Sequence, residues 1–201
     1  MSRCPVCGRE NVYMFRDQAC KYCRTDAFLK ALNSQGIPAS VMPDEDPDAP
    51  RHSFFDKIGF LREALIRVEK GSIQFIELWR TDTRNVTWFT VAYLARIGGD
   101  VAGSELKASL GEAFSVWHER KPLKEYRWEG GSLAQTLSAD PILKEALTPN
   151  ESQLETYYES KGKLAVITEV VGDHYPDPER KHFEAIERVM DHMRELAMRD
   201  S

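Results

Sequence analysis

Apolar residues recur at helical spacing in two long stretches of the chain and at every second position in several shorter ones. Phe183, Ile186, Val189, Met190, Met193, Leu196 and Ala197 form one stripe. Asp177, Pro178 and Glu179 stand before it as cap, first-turn proline and dipole-facing acid, so a long C-terminal helix is predicted. Phe54, Phe55, Ile58, Leu61, Ala64, Leu65 and Val68 repeat similarly between a Ser53/Asp56 capping box and Gly71, which predicts a helix at the start of the body. The period then drops to two. Residues 72–80 and 86–96 are rich in β-branched and aromatic side chains and flank a polar turn, which predicts two strands. The second run also admits a helix, but its composition favours strand. With Trp88 and Leu94 on one side and Phe89, Val91 and Tyr93 on the other, it suits a sheet covered on both faces, a cavity or an interface.

Short β-like pieces follow at 104–110, 113–119 and 123–128, then two short helices at 133–138 and 141–147. Ser132 with Gln135 reads as a capping box, and Asp140-Pro141 as an N-cap followed by proline at the first helical position. Residues 153–159 and 163–171 form a hairpin turning at Gly162. The predicted fold class is α+β: a mostly antiparallel sheet with an N-terminal helix and a long C-terminal helix that cover one face.

The first 52 residues behave differently. Val12, Tyr13, Met14 and Phe15 make a β-prone run before the polar Arg16-Asp17-Gln18, a small hairpin in outline. A short helix follows Cys23, with Thr25 as N-cap, Phe28, Leu29 and Leu32 on its stripe, and Gly36 then Pro38 to stop it. Residues 37–52 hold four prolines and four acids, a spacing that permits neither a helix nor a central strand. That segment is a mobile linker or an extended strap anchored by Ile37, Val41 and Met42. The domain organisation expected is 1–35, a cysteine module; 36–52, an acidic proline-rich linker; and 53–201, an α+β domain.

Composition narrows the function classes. The chain has 201 residues, 42% of them hydrophobic and 29% charged, as soluble globular proteins do. No run of about 18 apolar residues suggests a membrane span. The net charge of -5 is uneven: residues 1–35 carry +3, residues 36–52 carry -3 and residues 53–201 carry -5. A body of that sign has no field to attract nucleic acid; only the cysteine module is basic. The chain starts directly on its first cysteine pair with no signal-peptide pattern, so reduced thiols and a cytoplasmic location are expected.

The chemically specific feature is the set of four cysteines, Cys4-Pro-Val-Cys7 and Cys20-Lys-Tyr-Cys23, with twelve residues between the pairs. Two such turns supply four soft ligands to one tetrahedral metal ion, and a site filled by four thiolates leaves no position for water. Cys4, Cys7, Cys20 and Cys23 are therefore the expected ligands of one structural zinc ion, with iron as the less favoured metal. Two disulfides or a thiol redox pair are the alternatives, although nothing upstream of Cys20 supplies the βαβ context of a redox centre. The order of knuckle, hairpin, second knuckle and helix resembles the treble-clef group of zinc modules. The knuckle Cys4-Pro5-Val6-Cys7-Gly8 is similar to those of zinc ribbons and rubredoxins. The resemblance covers residues 3–35 and implies that the four cysteines are the metal ligands.

Elsewhere the candidates are weaker. Of the five histidines, His182 and His192 flank the apolar stripe of the last helix as rim or surface residues, and His118 stands at a strand end. His174, beside Asp173, Tyr175 and Asp177 in the loop after a central strand, is where a general base held by a carboxylate would sit. Trp79, Trp88, Trp117 and Trp128 lie among Arg80, Arg84, Arg96, Arg120, Lys121, Lys124 and Arg127, a mixture enriched at binding surfaces and equally that of a core with a basic rim. Three functions compete. A zinc-binding, non-enzymatic protein-interaction or regulatory protein, with a protein partner or a homodimer, leads. The second is a nucleic-acid-associated protein in which Arg3, Arg9, Arg16, Lys21, Arg24 and Lys30 interleave with Tyr13, Phe15 and Tyr22. The third is a small enzyme with its site near His174.

Overall fold

The computed structural model describes residues 3–10, 19–43, 45–50, 60–82, 87–98, 105–112, 126–147, 153–160, 163–171, 175 and 178–199, and the structural statements that follow concern these residues. Eight strands form a single sheet: β1 (Ala39–Met42), β2 (Phe60–Val68), β3 (Phe75–Asp82), β4 (Thr87–Arg96), β5 (Ala108–Glu112), β6 (Tyr126–Gly130), β7 (Gln153–Glu159) and β8 (Leu164–Val170). Their order is β1-β2-β3-β4-β8-β7-β5-β6, and every pairing is antiparallel. Four helices accompany it: α1 (Lys21–Ser34), α2 (Ser132–Ala139), α3 (Pro141–Ala146) and α4 (Arg180–Arg199). The class is α+β, with a helix N-terminal to the sheet and a long one at the C-terminus.

Strands β3, β4 and β8 occupy the middle and are buried on both faces, as their runs of large apolar groups require. One face holds Ile66, Ile76, Leu78, Val91, Tyr93 and Ile167. All four helices contribute to that same core: Phe28 and Leu32 from α1, Leu133 and Leu137 from α2, Leu143 from α3, and Phe183, Ile186, Val189, Met190 and Met193 from α4. The opposite face carries a smaller core of Met42, Leu65, Phe75, Trp79, Ala92, Leu94, Leu164 and Val166.

The helix expected over 53–70 is corrected by the structure. Residues 60–68 are strand β2, hydrogen-bonded between β1 and β3; residues 51–59 lie outside the described set. A strand apolar on both faces also satisfies the i, i+3, i+4 pattern. Here Ala64, Ile66 and Val68 enter one core and Leu65 the other, so local periodicity could not discriminate. The β2–β3 turn decides it. Gly71 sits at φ +104 with the Glu187 carboxylate packed where a Cβ would stand, and Glu187 Oε1 accepts the Ser72 N–H at 2.9 Å.

Three helix starts also move. Helix α1 begins at Lys21, not after Cys23, because the Cys20 carbonyl accepts the Arg24 N–H at 3.1 Å; Thr25 is inside the helix and buried, not its cap. The N-cap of α2 is Gly131. Ser132 is its first residue and gives its hydroxyl to the Glu105 carboxylate instead of closing a capping box. Helix α4 starts at Arg180, with the Glu179 carbonyl accepting from Phe183 at 2.9 Å, and Asp177 lies outside the described residues. Asp140 does cap α3, accepting the Ile142 N–H at 3.0 Å ahead of Pro141. Within the proline-rich segment, β1 is an edge strand laid along β2 as an extended strap. Ile37 and Met42 are its buried anchors and Val41 faces outward.

Candidate metal centre

Two local structures bring the cysteines together. The first pair lies on a tight turn in which Gly8, at φ +72, donates its N–H to the Cys4 carbonyl and Cys4 donates to the Arg9 carbonyl, both at 2.9 Å. The second pair begins α1, Cys20 as its N-cap residue and Cys23 in its first turn. A turn facing a helix N-terminus is a treble-clef-like arrangement, and the positive end of the helix favours thiolate there. The hairpin expected between the pairs falls on residues 11–18, outside the described set.

The four sulfurs form a compact group. Cys4 Sγ lies 3.8 Å from Cys23 Sγ, Cys7 Sγ lies 3.7 Å from Cys20 Sγ and Cys20 Sγ lies 3.8 Å from Cys23 Sγ. All four ligand atoms are within 4.8 Å of one another. A disulfide needs about 2.05 Å, so these are free thiols. Four sulfurs at about 2.3 Å from a zinc ion define a tetrahedron with edges of about 3.8 Å, which the three close pairs match. Backbone N–H groups of Cys7 and Cys20 draw the Cys4 thiol down to about 6 against the effect of burial. Burial and the neighbouring thiols push the Cys23 thiol up to about 12. A cation bound among the sulfurs would favour the thiolate form. The donor set thus fits a structural metal ion.

The centre is rooted in the body of the protein. Arg24, the residue after Cys23, reaches Glu63 of β2 with both Nε (3.0 Å) and Nη2. Beside it, a groove of about 610 Å³ lies between α1 and the β1–β2 edge, with Cys7, Arg9, Lys21, Tyr22, Leu29 and Val41 among its lining residues. Tyr22 and Val41 are exposed there, and Arg9 and Lys21 stack over the Tyr22 ring at 4.3 and 5.1 Å.

The other candidates divide. His52, His118 and His174 lie outside the described residues. His182 and His192 are part-buried, as rim residues are, and each meets a buried carboxylate. The His182 imidazole is 3.1 Å from Glu169, which also accepts from the Tyr93 hydroxyl at 3.1 Å, and His192 is 2.8 Å from Asp140. Burial holds the Tyr93 hydroxyl protonated, as a donor to Glu169. Sequence reading missed Glu169 and Glu77, both buried. Glu77 is satisfied by Arg62 and the Trp79 indole, each at 2.9 Å. An acid inside a dense apolar strand was the available signal, since such a group must find a partner. Trp79 and Trp128 are core residues, Trp88 is exposed, and Trp117 is outside the described set.

No family model matches this chain, and neither does a curated protein or a solved structure. Among the described residues, no helix is long and apolar enough to cross a membrane.

Proposed function

We propose that this is a zinc protein in which Cys4, Cys7, Cys20 and Cys23 hold one structural ion, and that it works by non-catalytic association with a protein partner. The observation that carries the metal assignment is the 3.7–3.8 Å separation of the close sulfur pairs, the edge of a zinc tetrathiolate. When bound, the ion supplies cross-linking: it ties the knuckle at 4–8 to the start of α1 and leaves no open coordination position. Elemental analysis of the full chain should return one zinc per molecule, and alanine at Cys20 and Cys23 together should abolish it. Iron at that stoichiometry, or no metal, would overturn the assignment.

The groove beside the centre supports the binding role. Asp26 is paired with Lys30, and Glu63 is occupied by Arg24 and Arg80, whereas Arg9 and Lys21 have no carboxylate partner among the described residues. Apolar Leu29, Val41 and Ala64 line the same groove. This chemistry suits a partner segment that alternates acidic and apolar side chains. Anisotropy titration with a labelled peptide alternating Glu and Leu should show saturable binding that the R9E/K21E double variant loses. Absence of binding, or binding that survives the double variant, would sink the groove reading. A second reading rests on Tyr22 with its two stacked cations, the pairing used for single-stranded nucleic acid. A deoxythymidine dodecamer binding more tightly than the peptide, and weakening steeply from 50 to 200 mM salt, would put it first.

A further inference from the structure

Strand β2 contains one irregularity. Arg62 pairs with Trp79 and Ala64 with Leu78, so Glu63 is an extra residue with no partner across the ladder. Bulges of this kind re-aim a side chain. The Glu63 carboxylate, with only 3% of its side chain exposed, is turned toward α1 and collects four donors on its two oxygens. Oε2 accepts from Arg24 Nε at 3.0 Å and from the Tyr175 hydroxyl at 3.2 Å. Oε1 accepts from Arg24 Nη2 and from Arg80 Nη1 at 3.3 Å.

Arg24 has a third arm. Its Nη1 donates to the carbonyl of Ala19, the residue before Cys20, and its backbone N–H donates to the Cys20 carbonyl at 3.1 Å. One guanidinium therefore grips the loop entering the second cysteine pair while its other edge is held by the sheet. Its plane lies over Phe89 at 5.4 Å, and Phe89 packs edge-on against Tyr175 at 4.7 Å. No other charged side chain of α1 is buried to this degree: the Asp26–Lys30 pair on the same helix is solvent-exposed.

We propose that Glu63 is a positioning residue for the metal centre, acting through Arg24 to hold Ala19, Cys20 and Cys23 ready for the ion, and that the same carboxylate couples metal loading to Tyr175. The inference rests on the metal assignment above. A bidentate guanidinium–carboxylate pair fixes direction as well as distance, which a single point charge does not. Without it, the Cys20 loop relies on its own stiffness, and the sulfur pairs lose the spacing that the ion requires. Residues outside the ligand set that orient ligands typically change metal affinity by about 10- to 100-fold. Coupling is reciprocal: what Glu63 contributes to metal binding, the bound metal returns to the Glu63–Tyr175 contact.

The competing explanation is charge balance. A zinc tetrathiolate carries two net negative charges, and Arg24 could serve merely as a nearby cation. The Arg24→Lys variant separates the two, since it keeps the charge and loses the fork. The experiment follows cobalt(II) release from the full-length protein to excess chelator, read from the thiolate-to-metal absorption of the tetrahedral ion. Glu63→Gln and Arg24→Lys should each speed release by about 10- to 100-fold, while Asp26→Asn should leave it unchanged. Wild-type release rates in Arg24→Lys would overturn the proposal in favour of charge balance. Should Glu63→Gln fail to fold by circular dichroism, Tyr175→Phe, which removes one donor, is expected to accelerate release severalfold, and no acceleration would overturn the proposal. Hydrogen exchange of the segment containing Tyr175 should rise on metal removal in the wild type; unchanged exchange would remove the coupling. Failure of the wild type to bind cobalt at all would instead strike the metal assignment.

Discussion

Leu32 offers a direct test of whether the cysteine module is built into the body or hangs beside it. The residue belongs to α1, has no exposed surface and lies in the core that α1 shares with the sheet and α4. Leu32→Ala removes three carbons, a transfer cost of about 2.4 kcal/mol at about 0.8 kcal/mol per buried carbon. The residual cavity adds to this, since α1 is pinned by Arg24 at one end and by the Asn33 side chain on Ala39 at the other and cannot collapse freely. A total of about 3–4 kcal/mol is expected, within the range of measured Leu→Ala changes. For a domain of this size each kcal/mol lowers the melting temperature by about 2–4 °C, so the midpoint should fall by about 6–16 °C. Thermal unfolding of the full chain, followed by the ellipticity of the sheet and helices, measures it. Val6→Ala, at a side chain 68% exposed, is the control and should shift the midpoint by under about 1 °C. A Leu32→Ala shift as small as that of the control would refute the shared core.

Two further outcomes follow from particular contacts. Gly71→Ala places a Cβ in a left-handed backbone and against the Glu187 carboxylate, so it should cost about 1–2 kcal/mol and free the Ser72 N–H, observed as a lower denaturant midpoint with an unchanged slope. Burial acts to raise the Asp140 carboxyl, but hydrogen bonds from His192, Arg188 and the Ile142 N–H prevail and hold it at about 2. A carboxyl depressed in the folded state stabilises above its unfolded value near 4 and loses that contribution as pH falls toward 2. Stability measured between pH 4.5 and 2 should therefore fall more steeply in the wild type than in Asp140→Asn; parallel curves would contradict the assignment.

Much of the architecture was legible locally. The β7–β8 hairpin, the two strands after residue 72, the Asp140-Pro141 start and the stripe of α4 each carried a signal within a single element: a turn, an alternation, a cap or a 3.6-residue period. Errors fell where one pattern satisfied two geometries. Residues 60–68 present apolar groups to two cores, and a strand apolar on both sides looks like a helix until its neighbours are known. Thr25 and Ser132 are good capping residues, but Cys20 and Gly131 already start those helices; Thr25 is buried within its helix and Ser132 turns to Glu105. The His182–Glu169 and His192–Asp140 pairs were illegible because each joins residues from different elements, and burial of a histidine is a property of what packs over it.

The cysteine spacing alone picked out which four side chains are candidates for one ion, because two short turns can each chelate from a single loop. Tertiary structure decided where that centre is attached. Glu63 is forty residues from Cys23 and carries no motif; it matters because a bulge turns it inward beneath Arg24. Ligand identity depends on chain chemistry and can be read along the sequence, whereas the support behind a ligand depends on which elements meet. That meeting is set by long-range sheet pairing and shared burial, which no local pattern encodes.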